Sequence, residues 1–253
     1  MNVAAGDAAS GMMLHDGGPV ISQIPTRTNL HRIAAHVVAR RRHEVTGRFG
    51  LRPTPGGFGT PAFGESFEVV RVSGLSLVHE AGADVRMMPM TGSTLRILAS
   101  FVGADIDAGF SVGSDTPDMG DPDEPLDFEA DSADAVAGWF GLGSVVLDTY
   151  VGVLGKRAEA ATTQLWPEHF DLATSVTLGN GRRANAGFSA GDGFEPEPYA
   201  YFGPWGEERP GDPSFWNAPF GAVLRRKEVS AAEDPSQRLA TFLRQGSRLL
   251  GDG

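Results

Sequence analysis

Four acids and a histidine within thirty residues could do chemistry: Glu168, His169, Asp192, Glu195 and Glu197. They sit in residues 162–205, a stretch that also carries Trp166, Asp171, Tyr199, Tyr201 and Trp205. Read by alternation from Leu165, one strand face holds Trp166, Glu168, Phe170, Leu172, Thr174 and Val176, and the other His169, Asp171, Ala173 and Ser175. Period two of this kind marks a half-buried strand. Glu168 breaks the pattern by lying on the apolar face.

The turn Gly179-Asn180-Gly181 reverses the chain, because Asn and Gly tolerate positive φ. A two-residue loop would pair Leu172 with Ser189 and mix the faces. A three-residue loop pairs Leu172 with Phe188, Thr174 with Ala186, Val176 with Ala184 and Phe170 with Ala190, so apolar positions match. Continued outward, that register sets Glu168 opposite Asp192. Two carboxylates there need a cation, a shared proton or an arginine. Residues before proline favour extended backbone, so Glu195 and Glu197 lie on a stiff approach to Tyr199 and Tyr201.

This spacing supports several chemistries. The acid set suits a hard cation such as Mg²⁺, Mn²⁺ or Ca²⁺ better than zinc, with Glu168 and Asp192 as the metal ligands. Alternatively, Glu168 and Asp192 divide into an acid and a base, with His169 assisting. The ligand-binding set is Trp166, Asp171, Glu195, Glu197, Tyr199, Tyr201 and Trp205, an aromatic and acidic wall. The plain alternative pairs Glu168 with Arg32 or Arg52, and leaves His169 and Asp171 bonding each other or Ser189. His169-Phe170-Asp171 opens a two-histidine, one-carboxylate iron motif, but no histidine follows residue 169, and only His79 stands upstream on a plausible strand. No Gly-x-Ser-x-Gly and no phosphate-binding Gly-Lys-Ser/Thr loop is present.

The elements that must position these groups follow from composition and period. The 253 residues are 41% hydrophobic and 21% charged, an ordinary globular balance with room for a sizeable core. Without cysteine, disulfides, thiolate metal sites and thiol nucleophiles are excluded. No continuous run of about 18 apolar residues predicts a membrane span, and the start of the chain lacks a secretory pattern. A cytoplasmic location is expected. The net charge of −11 comes from residues 104–134, with eleven acids and no Lys or Arg. So acidic a chain is a poor partner for nucleic acid. Its Asp-rich loop matches no calcium-loop spacing and reads as solvated. Residues 27–52 carry seven arginines against Glu44 alone, expected as a solvated helix face or as partners for acids.

Residues 1–25 read as a flexible tail, and 26–253 as a single α+β domain. A helix is expected from Thr28 to about Arg42, with Leu30, Ile33, Ala34, Val37 and Val38 on one face. A Gly/Pro loop at 50–64 and a hairpin around Ser73-Gly74 come next, then a strand over 84–90. Thr91 or Ser93 caps a short helix. The longest helix runs from Ser132 to about Leu154. Strands over 198–205 and 218–229 precede a last helix begun by Asp234-Pro235. The fold class is therefore α+β, a mainly antiparallel curved sheet flanked by three to four helices.

In LWPEHFDLA (165–173) and GFSAGDGFEPEPYAYFGPW (187–205) the chain resembles an actinobacterial family of unknown function, marked by a Trp-Pro-Glu-His-Phe-Asp segment and a Gly-Asp…Pro-Glu-Pro-Tyr segment. The likeness covers roughly the last 90 residues and implies kinship without an activity. Three functions are thus expected in order: a protein binding a small molecule beside the 162–205 hairpin, a divalent-metal-dependent hydrolase or lyase, and a scaffold using the acidic loop.

Overall fold

The computed structural model describes residues 20–155 and 158–251, so most of the predicted tail lies outside them. Residues 20–25 are already helical, which shortens that tail. Helix α1 (Val20–Ile33) runs on through a π-helical stretch (Ala34–Ala39) into α2 (Arg40–Thr46). The π turn is fully buried, and Arg40 N–H donates back to Ala35 O, one residue further than an α-helix allows. The expected apolar face from Leu30 to Val38 is buried, as the spacing requires.

The other face of this helix holds the acidic segment, by means the charge pattern did not suggest. There Arg32, His36 and Arg40 bond backbone carbonyls rather than carboxylates. Arg32 donates to Met119 O at 2.8 Å and 2.5 Å, His36 to Pro117 O at 2.8 Å, and Arg40 to Asp105 O and to Ala108 O. Ile106, Val112, Leu126 and Phe128 are buried beneath, while all eleven acids of 104–134 remain exposed. Of those acids, Asp107 and Asp123 pair with Arg96.

The class is α+β and mainly antiparallel, as expected, with the strands falling into two sheets. The first is a meander of β1 (Arg52–Thr54), β2 (Gly57–Gly59), β3 (Val69–Ser73), β4 (Ser76–Ala81) and β5 (Asp84–Pro89). The Gly/Pro loop at 50–64 is thus partly a hairpin. Its glycines permit close approach, since a Cβ on Gly59 would stand 2.4 Å from Arg71 Cβ. Helix α3 (Leu95–Val102) comes next, capped by Thr94 rather than by Thr91 or Ser93, because the Thr94 hydroxyl meets Ile97 N–H at 3.2 Å.

Helix α4 (Ala130–Leu154) is the axis of the core. By length and composition it could cross a membrane, although its sequence holds no unbroken apolar run. In the fold it buries Trp139, Phe140, Leu147 and Tyr150 between the two sheets and the helices on either side. Gly143 lets it approach the second sheet, where a Cβ would meet the Phe188 ring at 2.7 Å.

The second sheet has the order β11-β10-β9-β8-β6, with β7 also paired to β8. Its strands are β6 (Ala158–Ala160), β7 (Gln164–Trp166), β8 (Asp171–Leu178), β9 (Arg183–Ser189), β10 (Tyr199–Pro204) and β11 (Ala222–Arg225). The three-residue-loop register holds: Leu172 faces Phe188, Thr174 faces Ala186 and Val176 faces Ala184. Leu51 and Leu165 exchange two backbone hydrogen bonds and join the two sheets. The strand expected over 218–229 is shorter, since helix α5 (Arg226–Ser230) begins where the Glu228 carboxylate reaches back to accept Arg225 N–H at 3.1 Å. Helix α6 (Pro235–Gly251) closes the chain, with Asp234 accepting Gln237 N–H at 2.9 Å.

Candidate functional site

The long strand expected from Leu165 is broken by a turn. Pro167 cannot donate to a ladder, and the chain folds back at once, so β7 pairs with β8 and Trp166 lies opposite Asp171. Phe170 closes the turn at φ +53°, a left-handed conformation uncommon for a bulky residue. Its ring is held from three sides: His31 stacks at 5.2 Å, while Phe58 and Phe140 meet it edge-on at 5.3 and 5.2 Å. His31 Nε2 also donates to Pro167 O at 2.9 Å.

One residue beyond the strained position stands Asp171. It is 7% exposed. Its Oδ2 accepts the Tyr201 hydroxyl, and its Oδ1 is buried with no hydrogen-bond partner. Burial pushes the Asp171 carboxyl up to about 6, against the opposing effects of the Tyr201 bond and of His169. Burial likewise raises the Tyr201 phenol well above its ordinary value, so it stays a donor.

The first sheet offers a control within the same molecule. Phe67, at φ +51°, precedes the buried acid Glu68 just as Phe170 precedes Asp171. Glu68 is fully answered: Arg41 binds it through two nitrogens at 2.8 and 2.9 Å, and His79 Nε2 donates at 2.9 Å. Arg86 donates to His79 Nδ1, which fixes the histidine proton on Nε2. Glu68 reads as structural. Asp171 lacks any comparable set of donors.

Beside Asp171, the register sets Ser189 against it on β9, Tyr199 next on β10 and Arg225 next on β11. Tyr201 reaches Asp171 across Gly187, where a Cβ would collide with the phenol at 2.5 Å. The Tyr199 hydroxyl donates to Asp192 Oδ2 at 2.5 Å. Asp192 Oδ1 accepts Phe194 N–H at 2.8 Å and Glu195 N–H at 3.0 Å, so this acid folds its own loop. Glu195 pairs with Arg225, and Arg27 reaches Pro196 O at 2.6 Å near Asp192 and Glu197.

The expected Glu168–Asp192 pair does not assemble. The β8–β9 ladder stops at Asp171 and Ser189, so Glu168 stays in the turn and Asp192 in the next loop. Glu168 lies 3.4 Å from His169 Nε2, and His169 Nδ1 lies 3.7 Å from Asp115. Burial raises the Glu168 carboxyl. Arg32, its proposed partner, bonds Met119, Asp121 and Asn29 instead. Among the described residues no three acids or histidines converge as a cation site. The arrangement around Asp171 therefore favours hydrogen bonding and proton exchange.

No family profile, curated protein or solved structure matches this chain. Trp205 sits at the far end of the sheet, 54% exposed, with Arg183 over its ring at 3.4 Å and Asn185 on its indole N–H. Trp166 is half-buried and packs near Phe49 at 6.5 Å. Among the described contacts, Trp166 meets Asp171 in the β7–β8 ladder and Trp205 does not reach it. A narrow apolar cavity of about 10 Å³ lies elsewhere, between α4 and the first sheet, lined by Leu30, Phe58, Val72 and Val136. It contains none of the acids, so the polar groups around Asp171 define the site.

Sequence reasoning passed over His31, which props the turn from another element. Burial lowers its pKa to about 4, so it is neutral in the fold. Because the unfolded chain takes up this proton near 6.5 and the folded chain does not, His31 contributes stability that is lost as pH falls from 6.5 towards 4. His31→Gln keeps a donor but removes the titration. Melting temperatures measured across that window should fall less steeply for the variant, by an amount corresponding to roughly 2 kcal/mol at the acid end. Parallel curves would show that His31 is not the group responsible.

Proposed function

We propose that the protein binds a small molecule at the end of the second sheet, over the Asp171–Tyr201 and Asp192–Tyr199 pairs. A single observation carries the reading: a buried carboxylate oxygen without a partner, beside a strained backbone position. Buried polar atoms are nearly always satisfied, and left-handed bulky residues persist where surrounding structure holds them, often at binding sites. Tyr201 and Tyr199 give their hydroxyl protons to the acids, which fixes their oxygens as acceptors, and Asp171 supplies an acceptor that also exchanges a proton near neutral pH. The same groups suit proton transfer to a bound molecule, but the proposal is of binding alone. A cytoplasmic setting and kinship with the actinobacterial family remain part of it.

The test is a thermal-shift screen with metabolites, run on the wild type and on Asp171→Asn. A compound that raises the melting point of the first and not the second is expected. No stabilising compound, or equal shifts in both, would overturn the reading. Asp171→Asn also makes a ligand-free prediction. The folded acid holds its proton more tightly than the unfolded one, so ionising it costs stability as pH rises from about 4 to about 6. Above that window the asparagine variant should be more stable by roughly 1–3 kcal/mol, a gap that closes on acidification. Chemical denaturation at several pH values reads this directly.

A further inference from the structure

We propose that the ligand is an organic cation, an alkylated ammonium group held against a closed circuit of four aromatic rings, Phe194, Tyr199, Tyr201 and Phe220. This names the ligand class for the binding site proposed above and rests on that reading. The ring centroids are 6.0 Å apart for Phe194–Tyr199, 6.3 Å for Tyr199–Tyr201, 6.4 Å for Tyr201–Phe220 and 5.1 Å for Phe220–Phe194. Four edges of these lengths place the centre of the circuit within about 6 Å of every ring, the reach of cation–π attraction. Two different loops complete it. Phe194 comes from the turn that Asp192 folds, and Phe220 from the β10–β11 connection, where Ala218 and Gly221 pair. Both phenylalanines are open to solvent, 43% and 38% exposed, although apolar rings of this size are usually covered.

The charges favour a cation over an uncharged ring-stacking partner. Each tyrosine donates its hydroxyl to a carboxylate, Tyr199 to Asp192 and Tyr201 to Asp171, which adds electron density to the ring faces. Glu195 faces the same end but is engaged by Arg225. Arg27, also at this end, is bonded to Pro196 O and lies beside Asp192 and Glu197. Asp171 keeps one oxygen without any partner, so its charge is not balanced by an arginine. The acid end is thus net negative behind an exposed aromatic rim.

Choline is the probe, with its carbon isostere, in which a tert-butyl group replaces the trimethylammonium, as the uncharged control. Titrations followed by the aromatic-ring resonances of the full chain should show saturable shifts of these four rings with choline. The isostere should bind about tenfold more weakly. Phe194→Leu and Phe220→Leu, both at partly exposed positions, should each weaken choline roughly three- to tenfold while leaving the melting curve in place. Equal binding of the isostere would reduce the circuit to an apolar patch and overturn the proposal. So would an absence of saturable shifts, or unchanged affinity in both leucine variants. If the thermal-shift screen still yields a compound dependent on Asp171, only the cation class fails; if it yields none, the binding reading fails with it.

Discussion

Phe170→Ala should destabilise the protein by about 3–5 kcal/mol, the range for deleting a large buried aromatic side chain. The ring is 2% exposed and is the common neighbour of His31, Phe58 and Phe140, so its loss leaves a void joining helix α1, β2 and α4. Two effects are mixed in that number, the missing ring and the left-handed backbone, and a second variant separates them. Phe170→Gly removes the same ring but accepts positive φ without a Cβ penalty. It should therefore be more stable than Phe170→Ala by about 1 kcal/mol, despite glycine's looser unfolded chain. Urea denaturation of the three proteins gives both differences. If alanine and glycine prove equal, the turn relaxes on losing the ring, and strain has no part in presenting Asp171.

Glu68→Ala is the second large effect expected, again about 3–5 kcal/mol, because it leaves Arg41 and the donor side of His79 without their shared acceptor in a buried place. Here the partner is a structural network that ties α2 to the residue entering β3 and to β4 and β5. Arg41 is about a quarter exposed, which softens its share of the cost. The double change Glu68→Leu with Arg41→Met removes both charges together and should recover part of the loss. Ligand binding at the other sheet should survive in every variant that folds. A cost under about 1 kcal/mol for Glu68→Ala would mean that water reaches the network and replaces the carboxylate.

The hairpin register was legible because it depends on a local rule. Leu172, Val176, Ala184 and Phe188 align in only one of the two pairings, and the fold adopts it. The helices were legible for the same reason, from Leu30 to Val38 and from Val136 to Tyr150. The break at Pro167 had a local signal, the missing N–H, which alternation overrode. Phe170's conformation had none, since the rings holding it come from residues 31, 58 and 140. That one turn accounts for the failed Glu168–Asp192 pairing. Alternation puts Asp171 on a polar face, and only the fold brings Tyr201 across Gly187 to cover it. The acidic segment carried a mixed signal: its acids are exposed as expected, but Ile106, Val112, Leu126 and Phe128, spaced among them, mark a packed loop.

Carbonyl oxygens do not titrate and are not displaced by dissolved ions as counterions are. The acidic segment is fastened to its helix through such oxygens, at Met119, Pro117, Ala108 and Asp105, and its carboxylates take no part in those bonds. Shape and surface charge in this segment are therefore separately adjustable. Neutralising an acid there leaves those bonds to the helix in place; the carboxylates that act locally include Asp107 and Asp123 through Arg96, Asp115 beside His169, and Asp105, Asp118 and Asp121, whose Oδ1 atoms accept N–H groups of the loop itself.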